Sequence, residues 1–331
     1  MLTLTPQDGA DWDSAYALSM APTDTTSLKS SIMHYKWEHG RRYHAFGAGL
    51  YWYVKEGYLL FWGSRPTNLS PRSVPNDAKQ QEAEDLVLYL APLPENPQKI
   101  LDLGCGTGIW VIDLADQHPS AEVIGVDISP IQPSYIPPNC RFEIDDINRD
   151  WTYPEDAFDL VHARALVGCV PDWAELDRRV LRHLRPGGWL EHVELSVHIR
   201  CDDNSLPAGS SLAQWGGLMA QVYRKIGRSA EACEVAMRAA EEAGFACVRE
   251  HRVKVPIGMW PKHTDLKQWG AWNRAFMLQG LEGFALRGLT TILGWSYEQA
   301  QMYLMGVRND LNDPNIHAYV EMCVVNGQKP F

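Results

Sequence analysis

The sequence predicts a doubly wound α/β fold built on an open, largely parallel sheet, and three observations carry that prediction. Short apolar segments of strand length alternate with helical segments between residues 99 and 197. A glycine-rich turn, Asp102-Leu-Gly104-Cys-Gly106-Thr-Gly108, joins the first strand to its helix. An acid, Asp127, ends the second strand.

In chain order, residues 1–30 are polar and without a sustained period, which reads as an N-terminal arm. Residues 31–74 hold two aromatic-rich blocks followed by a stretch of helix breakers. From Asn76 to Leu93 the spacing predicts a helix, with Asp77 as N-cap and Ala83, Leu86, Val87 and Leu90 on one face. Strands follow at Lys99–Leu103, Glu122–Asp127, Arg141–Asp145, Phe158–His162 and Trp189–Val197. A helix over about Ile109–Gln117 stops before Pro119, and another over about 172–184 ends at the Pro186-Gly187-Gly188 turn. Beyond 203 the pattern is helical at about 209–226 and 230–243, extended at about 246–255, helical again from 262 to 311, and extended from His317. This divides the chain into an arm and lid (1–75), a nucleoside-binding core (76–202) and the rest of the core with a helical cap (203–331), all within one domain.

Composition narrows the functional classes. The chain has 331 residues, 45% hydrophobic and 21% charged, which are globular proportions. Forty-one acidic against 30 basic residues give a formal charge of -11 and no Lys/Arg run, a poor footprint for direct nucleic-acid binding. No apolar run reaches the ~18 residues of a membrane-spanning helix, and the first residues carry Asp8, Asp11 and Asp13 where a secretory or transit signal would be basic and apolar. Seven cysteines include no CxxC pair. Together these predict reduced thiols and a cytoplasmic location.

The glycine turn is the most informative motif. Glycines at a strand–helix junction let the chain turn sharply and let a ligand approach bare backbone, while the helix N-terminus offers amides to an anion. Asp127, 19 residues after Gly108, is placed to accept from ribose hydroxyls, so a nucleoside is expected across this edge. The dinucleotide fingerprint GxGxxG/A is not met: the spacing is GxGxG, and Ile109 stands where a small residue belongs. No Lys-Ser/Thr follows to make a Walker loop. S-adenosylmethionine, which carries a carboxylate in place of phosphates, fits these residues.

LDLGCGTG, Asp127, Asp145-Asp146-Ile147 and RPGGW resemble the successive motifs of class I S-adenosylmethionine-dependent methyltransferases. The likeness extends to EHGRRYH at 38–44, VPND at 74–77, SPIQPSYIPPNCRFEIDD at 129–146 and PDW at 171–173. With VPIGMWPK at 255–262, GLEGFALRGLTTILGWS at 280–296 and IHAYVEMCVVNGQKP at 316–330, the chain is similar over about residues 34–330 to the fungal LaeA-type methyltransferases. That family comprises regulators and small-molecule methyltransferases of secondary metabolism. The resemblance implies a Rossmann-like sheet of seven strands with the last antiparallel, and a helical cap inserted between the last two. It implies that Gly104, Gly106 and Gly108 shape the methionine pocket and that Asp102 orients the amino group. Asp127 would bind the ribose, Ile128 and Ile147 would flank the adenine, and Asp146 would accept from its N6. Arg164 would line the methionine end, and Tyr43 and His44 would fold over the cofactor. One departure is an aromatic-rich stretch between Gly49 and Val74 that is longer than the family pattern.

Methyl transfer is an in-line displacement that first needs positioning in a dry site. Candidate bases are His192 and Glu194, which period 2 puts on one face of the fifth strand, and His44. Each has a structural alternative: a satisfied buried side chain for the pair, and lid packing for His44. His162 reads as a packed strand histidine and Cys105 as a small filler. Arg41-Arg42 suits a carboxylate or plain solvation. Trp269, Trp272 and Phe276 keep helical spacing, which predicts core positions, with an aromatic wall for a flat, apolar acceptor as the other reading. No motif has metal-ligand spacing, so no catalytic metal is expected. The expected function is transfer of a methyl group to an oxygen or nitrogen of a small secondary metabolite. The alternatives are a regulator acting in a protein complex, with a nuclear location, and a methyltransferase fold reused for a non-methylating reaction such as a cyclisation.

Overall fold

The computed structural model describes residues 35–38, 41–44 and 88–331. The expected helix start at Asp77, the arm and the stretch between Gly49 and Val74 lie outside the described residues. Two short strands, β1 (Tyr35–Glu38) and β2 (Arg41–His44), pair antiparallel. The main sheet contains β3 (Lys99–Leu103), β4 (Glu122–Asp127), β5 (Cys140–Ile144), β6 (Phe158–Arg164), β7 (Leu184–Arg200), β8 (Ala246–Pro256) and β9 (Tyr319–Gln328). Its order is β5-β4-β3-β6-β7-β9-β8. Pairings from β5 through β7 are parallel, and β9 runs antiparallel to both β7 and β8. The seven strands and the antiparallel last strand match the expectation. The chain reverses its direction of travel across the sheet between β3 and β6, so their carboxyl ends flank the crevice where such sheets bind ligands.

The elements follow from local sequence. Ile100 and Leu101 in β3, Val123 and Ile124 in β4, and Leu160 and Val161 in β6 are completely buried, as strands covered on both faces require. Helix α1 (Ile109–Gln117) buries Trp110, Val111 and Leu114 on one face of the sheet. Helix α2 (Trp173–His183) starts at Asp172, whose side chain accepts from the Glu175 amide at 3.0 Å, and packs on the other face with α4 (Ala232–Ala243). Two strands run past their expected limits: β6 continues to Arg164, and β7 starts at Leu184, so the Pro186-Gly187-Gly188 turn lies inside it, beside a register shift against β6.

The cap comprises α3 (Ser211–Lys225), α5 (Thr264–Arg287), a π-helical turn (Gly288–Ile292) and α6 (Tyr297–Asn312). Its apolar faces form one cluster with Val255, Val320, Met322 and Val324 of β8 and β9. Helices α5 and α6 lie between β8 and β9 in sequence, the insertion the resemblance implies. The expected core role of Trp269 and Trp272 is corrected: they remain 37% and 42% exposed, whereas Phe276 is buried. The inward face of α5 carries Gly270 and Asn273 instead, because the helix crosses the end of β8 too closely for larger side chains. Asn273 donates to the Pro256 carbonyl at 2.9 Å, and the Gly258 amide donates to the Gly270 carbonyl at 2.8 Å. Among the described residues, no helix is long and apolar enough to cross a membrane.

A Cβ at Gly270 would lie 1.9 Å from the Gly258 carbonyl oxygen. Gly270→Ala is therefore expected to lower stability by about 1–3 kcal/mol through overpacking, despite the ~1 kcal/mol that Ala gains over Gly in a helix. Urea unfolding of the two proteins checks this, and a gain in stability would show that α5 can move away without cost.

Candidate functional site

The glycine turn follows β3, and Gly104, Gly106 and Gly108 all adopt positive φ, at 71°, 57° and 79°. Two of them are shaped by packing: a Cβ on Gly104 would lie 2.4 Å from the Leu166 side chain, and one on Gly108 would lie 2.2 Å from the Phe142 ring. Gly106 differs, because a Cβ there would meet nothing within 4 Å. Its open side is the part of the turn a ligand can reach. Gly108 is the N-cap of α1 and provides no side-chain cap, nor does an acid occupy the first turn, so the helix start is left for an external acceptor.

The turn is pinned from several sides. Asp127 accepts from the Gly106 amide through Oδ2 and from the Ser129 amide through Oδ1, both at 2.8 Å. Gln132 donates to the carbonyls of Gly106 at 2.6 Å and Ser129 at 2.9 Å. Burial pushes the Asp127 carboxyl up to about 6, against the two amide bonds. A carboxylate has about four lone-pair sites, so these bonds leave capacity for ribose hydroxyls. Sequence reasoning gave Gln132 no role of its own, although it lies within the SPIQPSYIPPNCRFEIDD stretch.

Beside the turn, Leu103, Val126, Asp145, Asp146 and Ile147 line a small cleft. Ile128 and Ile147 are largely packed into the protein, at 9% and 6% exposure. Asp146 is buried and accepts from the Asn148 amide at 3.0 Å, with Arg149 Nε 3.5 Å from its other oxygen. Arg164 ends β6, is half-buried, and is followed by Ala165 at φ 56°, a strained conformation for a residue with a side chain. Burial lowers the Arg164 pKa, while Asp102, Asp113 and Glu191 act to raise it. Tyr43 and His44 sit on β2 opposite Lys36 and Tyr35, and their side chains lie outside the description.

His192 and Glu194 share a face, as period 2 predicts, and both are completely buried. His192 Nε2 lies 2.7 Å from Asp177 Oδ1 of α2, and its ring meets Trp173 edge-on. Burial alone would lower the His192 pKa, but Asp177, with Glu194 and Glu191, outweighs it and raises it. Glu194 accepts from the Leu166 amide at 2.8 Å and so holds the loop after β6. Burial pushes its carboxyl up to about 7. Asp102 is likewise engaged, with Oδ1 2.8 Å from His162 Nδ1. Away from the turn, His198 of β7 and Glu231 and Glu234 at the start of α4 bring one ligand atom each to within 4.8 Å of one another. Their contacts are internal: His198 Nε2 lies 3.3 Å from Glu231, and Ser196 donates to Glu234 at 2.9 Å. The positive end of α4 at the same place disfavours a cation.

The family model for a methyltransferase domain matches residues 77–250. The chain is 36% identical over 318 residues to the methyltransferase pytC of Aspergillus terreus, covering 92% of this chain and 91% of that protein. It is 34% identical over 310 residues to the secondary metabolism regulator LAE1 of Cochliobolus heterostrophus, covering 88% and 94%. It is 30% identical over 335 residues to the protein-methionine methyltransferase laeA of Emericella nidulans, covering 97% and 83%. Among solved structures it is similar to phosphoethanolamine N-methyltransferase 2 of Haemonchus contortus in complex with S-adenosyl-L-methionine, with a TM-score of 0.42 and 18% identity over 78% of this chain. It spans about half, 54%, of that structure's length.

Glu194 generates a pH prediction. Its carboxyl rises from an ordinary 4.5 to about 7 on folding, so the protonated form is favoured in the folded state. That contribution is complete below about pH 4.5 and is lost as the pH rises through 7, of order 3 kcal/mol in all. Glu194→Gln stays neutral and can still accept from Leu166. It should abolish this decline and exceed the wild type in stability at about pH 8, leaving the like-signed declines from Asp127, Glu191 and His192. Urea midpoints across that range decide it, and an unchanged slope contradicts the assignment to Glu194.

Proposed function

We propose, since the chain belongs to the methyltransferase domain family, that it transfers a methyl group from S-adenosylmethionine to an oxygen or nitrogen of a small secondary metabolite. The observation that carries this reading is the open side of Gly106, next to an uncapped helix N-terminus and a carboxylate at the end of β4. That combination fits a ligand with a carboxylate at one end and a nucleoside at the other. When bound, S-adenosylmethionine supplies a methyl group on a positively charged sulfur.

The chain's own residues bind, orient and exclude water. Gly104, Gly106 and Gly108 shape the turn around the amino-acid end, where Asp102 accepts from the amino group and Arg164 lines the wall. Asp127 takes the ribose hydroxyls. Asp146 accepts from the adenine, with Ile128 and Ile147 as apolar flanks. The family resemblance assigns Tyr43 and His44 to the cover over the cofactor. His192 and Glu194 act as supports here: the one bonds to α2, and the other fixes the loop carrying Leu166. A base role then falls to His44 or to no residue, as suits an acceptor that gives up its proton easily.

The exposed Trp260, Trp269 and Trp272 at the carboxyl end of β8 support a flat, apolar acceptor. A second reading, a regulator working in a protein complex in the nucleus, draws on the relatives named secondary metabolism regulators. The acidic balance argues against direct nucleic-acid contact in either case. The small-molecule reading goes with a cytoplasmic location.

Calorimetry with S-adenosylmethionine and S-adenosylhomocysteine, and with NAD as control, tests the cofactor. Micromolar binding of both with NAD silent is expected. Binding of neither would sink the reading and favour a reused fold. Asp127→Ala should weaken binding of S-adenosylmethionine by about 1–3 kcal/mol through loss of a charge-assisted contact. Unchanged affinity would mean the nucleoside lies elsewhere.

A further inference from the structure

Four polar side chains form a row through the middle of the sheet. Asp102 of β3 is the register partner of His162 in β6, His162 of Glu191 in β7, and Glu191 of Asn326 in β9. All four are buried, none more than 5% exposed. His162 Nδ1 lies 2.8 Å from Asp102 Oδ1, and its Nε2 lies 4.0 Å from Glu191 Oε1. Trp110 of α1 stacks on the imidazole with centroids 3.9 Å apart and planes 8° from parallel. The Trp110 indole is fixed in turn by donating to the Leu88 carbonyl at 2.6 Å. The ring is thus held in plane by Trp110 and in rotation by the hydrogen bond to Asp102.

We propose that His162 is a positioning residue for the amino-acid end of the cofactor, acting through Asp102; this rests on the methyltransferase reading above. An ionised carboxylate only accepts hydrogen bonds, so the imidazole Nδ1–H is the donor in this pair. A buried carboxylate with no donor bears the full desolvation cost of its charge. The Nδ1–H supplies that donor to one oxygen. It holds the carboxylate in a single orientation two residues before Gly104, where Cys105 and Arg164 both feel its field. An anion held there is the complement of an ammonium group. His162 does not touch the ligand, and the adenosine end does not depend on it.

Two ligands separate the two ends. S-adenosylhomocysteine carries both the amino acid and the nucleoside, whereas 5′-methylthioadenosine lacks the amino acid. Dissociation constants are measured by calorimetry for the first and by displacement of the first for the second. In H162N the amide nitrogen takes the place of Nδ1, and both affinities should stay within about threefold of wild type. In H162Q the amide lies at the Nε2 end. S-adenosylhomocysteine should then bind about tenfold more weakly, with 5′-methylthioadenosine unchanged. If H162Q does not fold, H162F keeps the stacking on Trp110 and serves the same comparison. Equal losses for the two ligands, no loss for either, or a loss in H162N as large as in H162Q would overturn the proposal. Failure of the wild type to bind S-adenosylhomocysteine overturns the methyltransferase reading and this proposal with it.

Discussion

A sheet covered on both faces offers no water to polar groups at its centre, and this chain places Asp102, His162, Glu191 and Asn326 there in one row. Each must find its partner inside the protein, and each does so by fixing something else. Asn326 donates to Glu191 at 2.8 Å, and Glu191 also accepts from the amides of Leu90 and Ala91 at 2.7 Å. His162 clasps Asp102 and takes the face of Trp110. The glycine turn, the start of α1 and the segment entering β3 are thereby referred to one set of strands.

The same device recurs around the sheet. Asp159 at the foot of β6 accepts from the amides of Gln98 and Lys99 at 2.7 and 2.8 Å. Asp127 holds the turn at Gly106, and Glu194 holds the loop at Leu166. Carboxylates on strands thus bind backbone amides of loops that start elsewhere. Amide bonds to carboxylates are among the stronger hydrogen bonds a protein makes, and they leave loops ordered without bulky packing. That suits a crevice whose walls must stay open to a ligand. Ala165, held in a left-handed conformation between Arg164 and Leu166, shows that the loop is constrained by its surroundings.

What was legible in the sequence was local. Strand β3, helix α1 and strand β4 coincide with their predicted limits because buried apolar runs, a glycine turn and a proline stop are all written in consecutive residues. Period 2 placed His192 and Glu194 on one face, but their partners, Asp177 and the Leu166 amide, belong to other elements that periodicity cannot see. His162 read as ordinary strand packing because its meaning lies in cross-strand register with Asp102 and Glu191. Helical spacing misplaced Trp269 and Trp272, since it cannot tell that a small residue such as Gly270 marks the side of closest approach. His198 meets Glu231 and Glu234 only in three dimensions.

The order of the strands bears on how the protein is made. Strand β9 lies between β7 and β8, and β8 has no other strand beside it among the described residues. On the ribosome β8 emerges first, followed by α5 and α6, and only afterwards the strand that joins it to the sheet. The two cap helices are therefore synthesised before β9, which contributes Val320, Met322 and Val324 to the apolar cluster they share. Asn326, which completes the central polar row, arrives in the same late segment. A nascent chain stopped short of β9 would hold Glu191 without that partner and β8 without a neighbour, so assembly of the sheet waits on translation of its last strand.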